Sequence, residues 1–306
     1  MSLYENILET IGNTPLVKLN KFKQMNKLNN NFYAKLESFN PANNVKTRPA
    51  YYMIKSLYEK KEIDSNYTIV EATSGNTGIS LAMVGAYYGN KVIIIMPDKV
   101  SEERIKLIKH YGAKVILTPA KKGINGSIAK AKELKKQGKI IIPSQFENPD
   151  NYLSHYETTA KELLNDLEMI DYLFITVGTG GTIRGISEYF KAKKIKTKII
   201  AIEPKQSPIL SGKAKGEHKI AGISPGFIPP LYKKEYVDDI ELVDDEKVWK
   251  FTKEFIKIEG ISIGISSGAA LLAALNYSKR NNLINKNIVC IFPDSGEKYL
   301  STGIFD

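Results

Sequence analysis

Thr68-Ile69-Val70-Glu71-Ala72-Thr73-Ser74-Gly75-Asn76-Thr77-Gly78 starts as a short apolar run and breaks into a loop of hydroxyls and amides. Ile69 and Val70 suit a buried strand, and the apolar residues over 75–88 suit a helix. A strand that breaks at a small-residue loop and re-emerges as a helix is the repeating unit of an α/β sheet with mostly parallel strands.

The alternation continues on both sides. Residues 32–37 read as a strand and 48–61 as a helix, with Tyr51, Ile54, Leu57 and Tyr58 on one face and Pro49 in its first turn. Residues 91–96 are a strand, and Ser101 with Glu103 is expected to cap a helix reaching Tyr111. Strands at 114–117 and 140–142 enclose a helix around 128–136. The second half repeats the alternation without repeating the sequence. It has a helix over 152–167 and a strand over 172–177 ending in Gly178-Thr179-Gly180-Gly181-Thr182. A further helix, a strand at 199–202, a loop-rich stretch over 204–230 and a helix over 246–258 follow, with Trp249 expected in the core. Ile265-Ser266-Ser267-Gly268 opens another helix, and 287–292 is the last strand. The border between two halves, 1–146 and 147–306, is expected near Phe146, with the site in the cleft between them.

Composition excludes several classes. With 306 residues, 42% hydrophobic and 25% charged, the chain is an ordinary globular one, long enough for two cores. No apolar run approaches the roughly 18 residues of a membrane span. Met1-Ser2-Leu3-Tyr4-Glu5-Asn6 lacks the layout of a signal peptide, so a cytoplasmic enzyme is expected. The single cysteine, Cys290, sits among Ile288, Val289, Ile291 and Phe292 and reads as buried and inert. The net charge of +11 is spread along the chain with no basic run interleaved with aromatics. No nucleic-acid partner is expected, and the positive field suits an anionic cofactor. His110, His155 and His218 have no ligand spacing, and no metal is assigned.

Four places could carry chemistry. Lys46, in Val45-Lys46-Thr47-Arg48-Pro49, stands at a helix start, where partial positive charge and burial would favour its neutral amine. By position alone it reads first as one more solvated lysine. Strand, Gly178 to Thr182, then helix is a phosphate cradle, or a plain tight turn; it lacks Gly-x-Gly-x-x-Gly and the lysine of a P-loop. The Thr73 loop could bind a carboxylate or merely cap its helix. Ser266 could meet a ring nitrogen or cap a helix.

Taken together these stretches resemble the cysteine synthase (O-acetylserine sulfhydrylase) group of fold-type II pyridoxal-phosphate enzymes, which includes cystathionine β-synthase cores. The resemblance runs nearly end to end. It covers Ile11 to Val17, Asn40 to Arg48, Glu71 to Gly78, Met96-Pro97, Gln145 to Pro149, the Gly178 loop, Gly264 to Gly268 and Pro293 to Thr302.

It implies two three-layer αβα domains with mostly parallel sheets and the cofactor in the interdomain cleft, a tryptophan synthase β-like fold. The first domain carries the lysine, and its first ~35 residues are expected on the other domain. It implies Lys46 as the Schiff-base lysine, catalytic together with Ser74. Asn76 would hold the phenolic oxygen of pyridoxal 5'-phosphate, Gly178, Thr179, Gly180, Gly181 and Thr182 its phosphate, and Ser266 its pyridine nitrogen, with Pro293 beside them. Thr73, Ser74, Gly75, Thr77 and Gln145 would clamp the substrate carboxylate, and Gly222 would line the mouth. The implied reaction is β-replacement through an α-aminoacrylate, O-acetyl-L-serine plus sulfide giving L-cysteine and acetate. The alternatives are a cysteine β-lyase releasing hydrogen sulfide, with serine, lanthionine or cystathionine as product, and a binding partner of serine acetyltransferase. A homodimer is implied. Asn44 and Thr47 depart from the family's small residue and aspartate beside the lysine, and could retune the leaving group or nucleophile.

Overall fold

The computed structural model describes residues 3–305; Met1, Ser2 and Asp306 lie outside the described residues. The chain opens with β1 (Leu16–Lys18), α1 (Asn20–Met25), β2 (Asn31–Leu36) and α2 (Thr47–Glu59). Next come β3 (Thr68–Ala72), α3 (Asn76–Tyr88), β4 (Lys91–Pro97), α4 (Glu102–His110), β5 (Lys114–Thr118), α5 (Gly123–Lys135) and β6 (Ile140–Ile141). Beyond them lie α6 (Pro149–Ser154), α7 (Ala160–Asp166), β7 (Tyr172–Thr176), α8 (Gly181–Ala192) and β8 (Lys198–Pro204). The last elements are β9 (Asp239–Val243), α9 (Asp245–Glu259), α10 (Ile265–Arg280) and β10 (Asn287–Phe292).

These strands form two sheets. The smaller is wholly parallel, in the order β5-β4-β3-β6. The larger runs β1-β2-β10-β7-β8-β9 and is parallel except for β1 against β2. The earliest strands therefore complete the sheet built by the latest: Ala34 stands opposite Cys290 and Leu36 opposite Phe292. Both faces of each sheet are covered, which is why β4 and β7 read as unbroken apolar runs rather than alternating ones.

On the smaller sheet, Ala50, Ile54, Ile79, Leu81 and Ile108 bring α2, α3 and α4 onto one face, while α5 covers the other through Ala131. On the larger, Phe22, Phe255 and Leu271 seat α1, α9 and α10, and Leu163, Ile183, Ile186 and Phe190 seat α7 and α8 opposite. Each fully buried aliphatic or aromatic side chain contributes about 1.5–3 kcal/mol. The first part of α10, Ile265 to Leu271, is buried throughout, so the helix starts in the interior and delivers its first residues to the cleft.

Several sequence expectations are corrected. The helix expected over 152–167 starts at Pro149, where Asn148 accepts from the Asp150 amide, and a π-helical turn at His155–Thr159 separates α6 from α7. One inserted residue leaves apolar spacing on either side intact, so periodicity does not reveal it. Strand β9 escapes notice because Asp239 and Glu241 interrupt it, and β1 is only 3 residues long. Ser101 precedes α4 but does not cap it; its hydroxyl donates to the Lys298 carbonyl, and Glu103 accepts from Ser301. Trp249 is half-buried, packed on the core's edge with its Nε1 donating to Lys219. Cys290 is fully buried, and burial pushes its thiol far above the ordinary range.

Candidate active site

The carboxyl ends of β3 and β7 face each other across a cleft of about 390 Å³. Lys46, at the start of α2, reaches into it. Its backbone is fixed on both sides: Val45 N donates to the Pro293 carbonyl (2.8 Å), and Lys46 N to Asn44 Oδ1 (2.8 Å). Burial lowers the Lys46 amine from 10.5 to about 8, against the opposing pull of Asp294 and Glu37. A neutral, nucleophilic amine is thereby accessible near neutral pH.

Asn44 and Thr47 do not line this cleft. Asn44 Oδ1 also accepts from Ser80, its Nδ2 donates to Ala42, and the Thr47 hydroxyl donates to Asn44 O. Both residues are fully buried and shape the turn that presents Lys46.

Thr73, Ser74, Gly75, Asn76, Thr77 and Gln145 line one wall. Thr77 Oγ1 donates to Gln145 Oε1 at 2.6 Å, which turns the Gln145 NH₂ away from Thr77 as a free donor. On the opposite wall stand Gly178, Thr179, Thr182, Gly222, Ser266 and Pro293. Gly180 and Gly181 carry the turn behind that wall. A Cβ on Gly178 would stand 2.5 Å from the Gly222 carbonyl oxygen, and one on Gly180 2.6 Å from Tyr232 N. Gly180 also has φ +83°, the left-handed region, and only bare backbone fits this loop. The Gly181 amide at the start of α8 donates to Thr179 Oγ1 (3.3 Å), and Thr179 and Thr182 line the cleft beside it. Ser266, the second residue of α10, is buried at the cleft wall, and Gly264 rather than Ser266 occupies the cap position.

Sequence reasoning missed four participants. Asp294 lies between the walls: its Oδ2 accepts from Asn76 Nδ2 and from the Tyr299 hydroxyl, each at 2.8 Å. The Asn76 Oδ1, Asp294 Oδ1 and Ser295 Oγ atoms beside it are buried without a partner. Buried polar atoms are almost always hydrogen-bonded, so such a cluster marks a place for a polar ligand. His155, in the π-helical turn, is within 3.2 Å of Thr182 Oγ1 through Nε2 and 2.9 Å of Thr159 Oγ1 through Nδ1. Burial, then the charges of Arg48 and Lys46, hold it neutral.

Arg48 is fully buried two residues beyond Lys46. It pairs with both Glu37 oxygens (2.8 Å each) and with Glu162 (2.5 and 2.8 Å). Burial works against these charges, yet Arg48 and Lys35 hold Glu162 down at about 2. The network ties α2, and so Lys46, to β2 and α7. Glu71, at the end of β3, is buried and held at about 7 by that burial, with Oε2 unpartnered. Arg48, Glu71 and Asp294 fall inside stretches singled out in the sequence, but their roles, like that of His155, depend on partners remote in the chain.

Among the described residues no group of His, Cys, Asp or Glu could hold a metal ion, and no helix is long and apolar enough to cross a membrane.

Residues 7–294 match the family described as pyridoxal-phosphate dependent enzyme. The chain is 47% identical over 314 residues to a cysteine synthase of Buchnera aphidicola subsp. Schizaphis graminum, covering 99% of this chain and 96% of that one. The crystal structure of cysteine synthase from Entamoeba histolytica matches with a TM-score of 0.94 at 42% identity, covering 99% of this chain and 91% of that one. A hydrogen sulfide-producing enzyme from Fusobacterium nucleatum matches at 0.93 and 43%, covering 97% and 100%. The lysine at the cleft, the glycine cradle and the full-length likeness agree: the chain belongs to the pyridoxal-phosphate dependent enzymes, in their cysteine synthase group, with the tryptophan synthase β-like fold.

Proposed function

We propose that this cleft carries out β-replacement on a serine-type amino acid, O-acetyl-L-serine plus sulfide giving L-cysteine and acetate. The observation that carries the reading is Lys46. It is the lysine that lines the cleft, its amine brought toward neutrality at about 8, set between a glycine cradle and a hydroxyl loop.

The residues present fit pyridoxal 5'-phosphate. The side-chain-free Gly178–Thr182 turn suits its phosphate, the unpartnered polar atoms around Asn76 and Asp294 suit its polar edge, and Ser266 suits its ring nitrogen. When bound, it supplies an electron sink for the carbanion formed at the substrate's α-carbon. Thr73, Ser74, the loop amides and the Gln145 NH₂, which Thr77 holds in place, bind the α-carboxylate and orient the α-hydrogen toward Lys46. The Lys46 amine takes that proton as general base. Acetate leaves the β-carbon with its electron pair, hydrosulfide adds there, and Lys46 returns the proton to the α-carbon. Phe146, which lines the cleft and packs edge-on against Phe227, keeps water from competing. Ser266, a neutral side chain, would hold the ring nitrogen without protonating it, which would favour elimination over transamination.

The likeness to a hydrogen sulfide-producing enzyme supports a second reading, in which L-cysteine enters first and sulfide leaves, with serine, lanthionine or cystathionine as product. Chromatography of products after feeding each amino acid decides between them. Cysteine formation from O-acetylserine and sulfide, abolished in Lys46→Ala, is expected; sulfide release from cysteine with negligible cysteine synthesis sinks the first reading. A homodimer, and capture of a serine acetyltransferase tail in the same cleft, belong to this proposal. Light scattering and a binding titration on Lys46→Ala test them.

A further inference from the structure

One cation at the cleft has no role in the scheme above. Arg104, in the first turn of α4, lines the same cleft as Lys46 and is only 8% exposed. Its Nε is buried without a hydrogen-bond partner, and among the described residues it makes no ion pair within 4.0 Å. The carboxylates nearest in sequence are engaged elsewhere: Glu103 accepts from Ser301 N and Oγ at 2.7 and 2.6 Å, and Glu102 from Lys106 at 2.9 Å. The guanidinium lies over the Tyr299 ring, 5.0 Å from its centroid, and the Tyr299 hydroxyl donates to Asp294. Arg104 thus sits at the Asp294 end of the cleft, while the Gly178 cradle belongs to the opposite wall.

Charge sharpens the point. Asp294 faces both Lys46 and Lys298, Arg104 faces Lys298 and Tyr299, and the Lys298 ammonium is spent on the Asn43 carbonyl (2.6 Å). A desolvated guanidinium without a carboxylate is costly unless something anionic visits it. Arginine presents a planar fork that suits such a visitor. The amino-acid carboxylate already has the Thr73 loop and Gln145, and the cofactor phosphate has the amides of Gly178–Thr182. The reaction brings two further small monoanions to the β-carbon, one at a time: departing acetate and incoming hydrosulfide.

We propose that Arg104 forms the subsite for a small monoanion on the β-carbon side of the cleft, serving the second substrate or the leaving group. This rests on the β-replacement reading for its occupant, but not for the site itself.

The test uses the holoenzyme with L-alanine, which has no β-leaving group, saturating the amino-acid clamp. Acetate binding is then measured by calorimetry for wild type, Arg104→Gln and Arg104→Lys. Arg104→Gln is expected to weaken acetate at least tenfold, and Arg104→Lys less than threefold. Stopped-flow absorbance then separates the half-reactions. A tenfold higher requirement for hydrosulfide with an unchanged first half-reaction assigns the site to the nucleophile; a tenfold slower first half-reaction with O-acetylserine assigns it to the leaving acetate. Acetate affinity and both half-reactions within twofold of wild type in a folded Arg104→Gln protein overturn the proposal. Should that variant not fold, failure of the wild type to bind acetate with the clamp filled overturns it equally. A protein that binds acetate through Arg104 yet makes no cysteine sinks the reaction and leaves the subsite standing.

Discussion

The two loops that face each other across the cleft start from the same plan, a parallel strand breaking into a helix, and are built to opposite standards of rigidity. The Gly178–Thr182 loop is boxed in by backbone: Gly222 O and Tyr232 N leave no room for a Cβ, and the Asn151 side chain occupies the place a Cβ on Gly181 would take. The Thr73–Thr77 loop has space around it; nothing lies within 4 Å of where a Cβ on Gly75 would be. Beyond the backbone bond of Thr73 N to Ile95 O at its base, it is tied to the rest of the chain by side-chain hydrogen bonds, Thr77 to Gln145 and Asn76 to Asp294. A resident cofactor is served by a mould, whereas a substrate that enters and leaves at each turnover is served by a clamp that can yield.

The sharpest way to break this comparison is through Arg48, which anchors Lys46 to the rigid side. Arg48→Met leaves Glu37 buried without its cation and Glu162 with Lys35 alone, so a loss of about 3–5 kcal/mol in stability is expected, read as a shift in a urea midpoint. A loss below about 1 kcal/mol would mean that the anchor is dispensable.

Next is Glu71, beneath the yielding loop. Burial raises its carboxyl from 4.5 to about 7, so the folded state holds the proton more tightly than the unfolded chain. That stabilisation is complete below about pH 4.5 and is lost as pH rises through about 7, with a ceiling of about 3 kcal/mol. Glu71→Gln should flatten this stretch of the stability profile measured by denaturant titration. An unchanged slope would place the titration elsewhere.

Gly178→Ala and Gly75→Ala compare the loops directly. The first forces a methyl onto the Gly222 carbonyl, a strain of about 1–3 kcal/mol, so cofactor retention on dialysis should fall by about ten- to a hundredfold. The second should change retention by less than about threefold, because its methyl meets open space. Equal losses would erase the distinction between mould and clamp.

How much of this was legible before folding follows the same division. Each loop announced itself because strand, small residues and helix are contiguous, and local chemistry is written locally. The alternation of elements likewise gave the α/β class. What stayed hidden needs distant partners. Arg48 reads as a surface cation until Glu162 arrives from α7, His155 as a stray histidine until Thr182 is beside it, and Arg104 as half of a helical charge pair. The half-polar β9 shows its strand character only alongside β8, where Leu242 meets Glu203 and Val243 meets Pro204.

The smallest effect probes the clamp itself. The Thr77 hydroxyl is fixed by one bond of 2.6 Å to Gln145 Oε1, and this bond decides which end of the Gln145 amide faces the cleft. Thr77→Val keeps the shape and removes the donor, so the amide can turn its oxygen toward an incoming carboxylate, where it repels rather than binds. The energy at stake is that of one neutral hydrogen bond, about 0.5–1.5 kcal/mol. KM for the amino-acid substrate should rise by about three- to tenfold while kcat stays within about twofold, since the interaction serves ground state and transition state alike. A fall in kcat with KM unchanged would show instead that the Thr73–Thr77 loop tightens only as the reaction proceeds, and would make the yielding wall the more catalytic of the two.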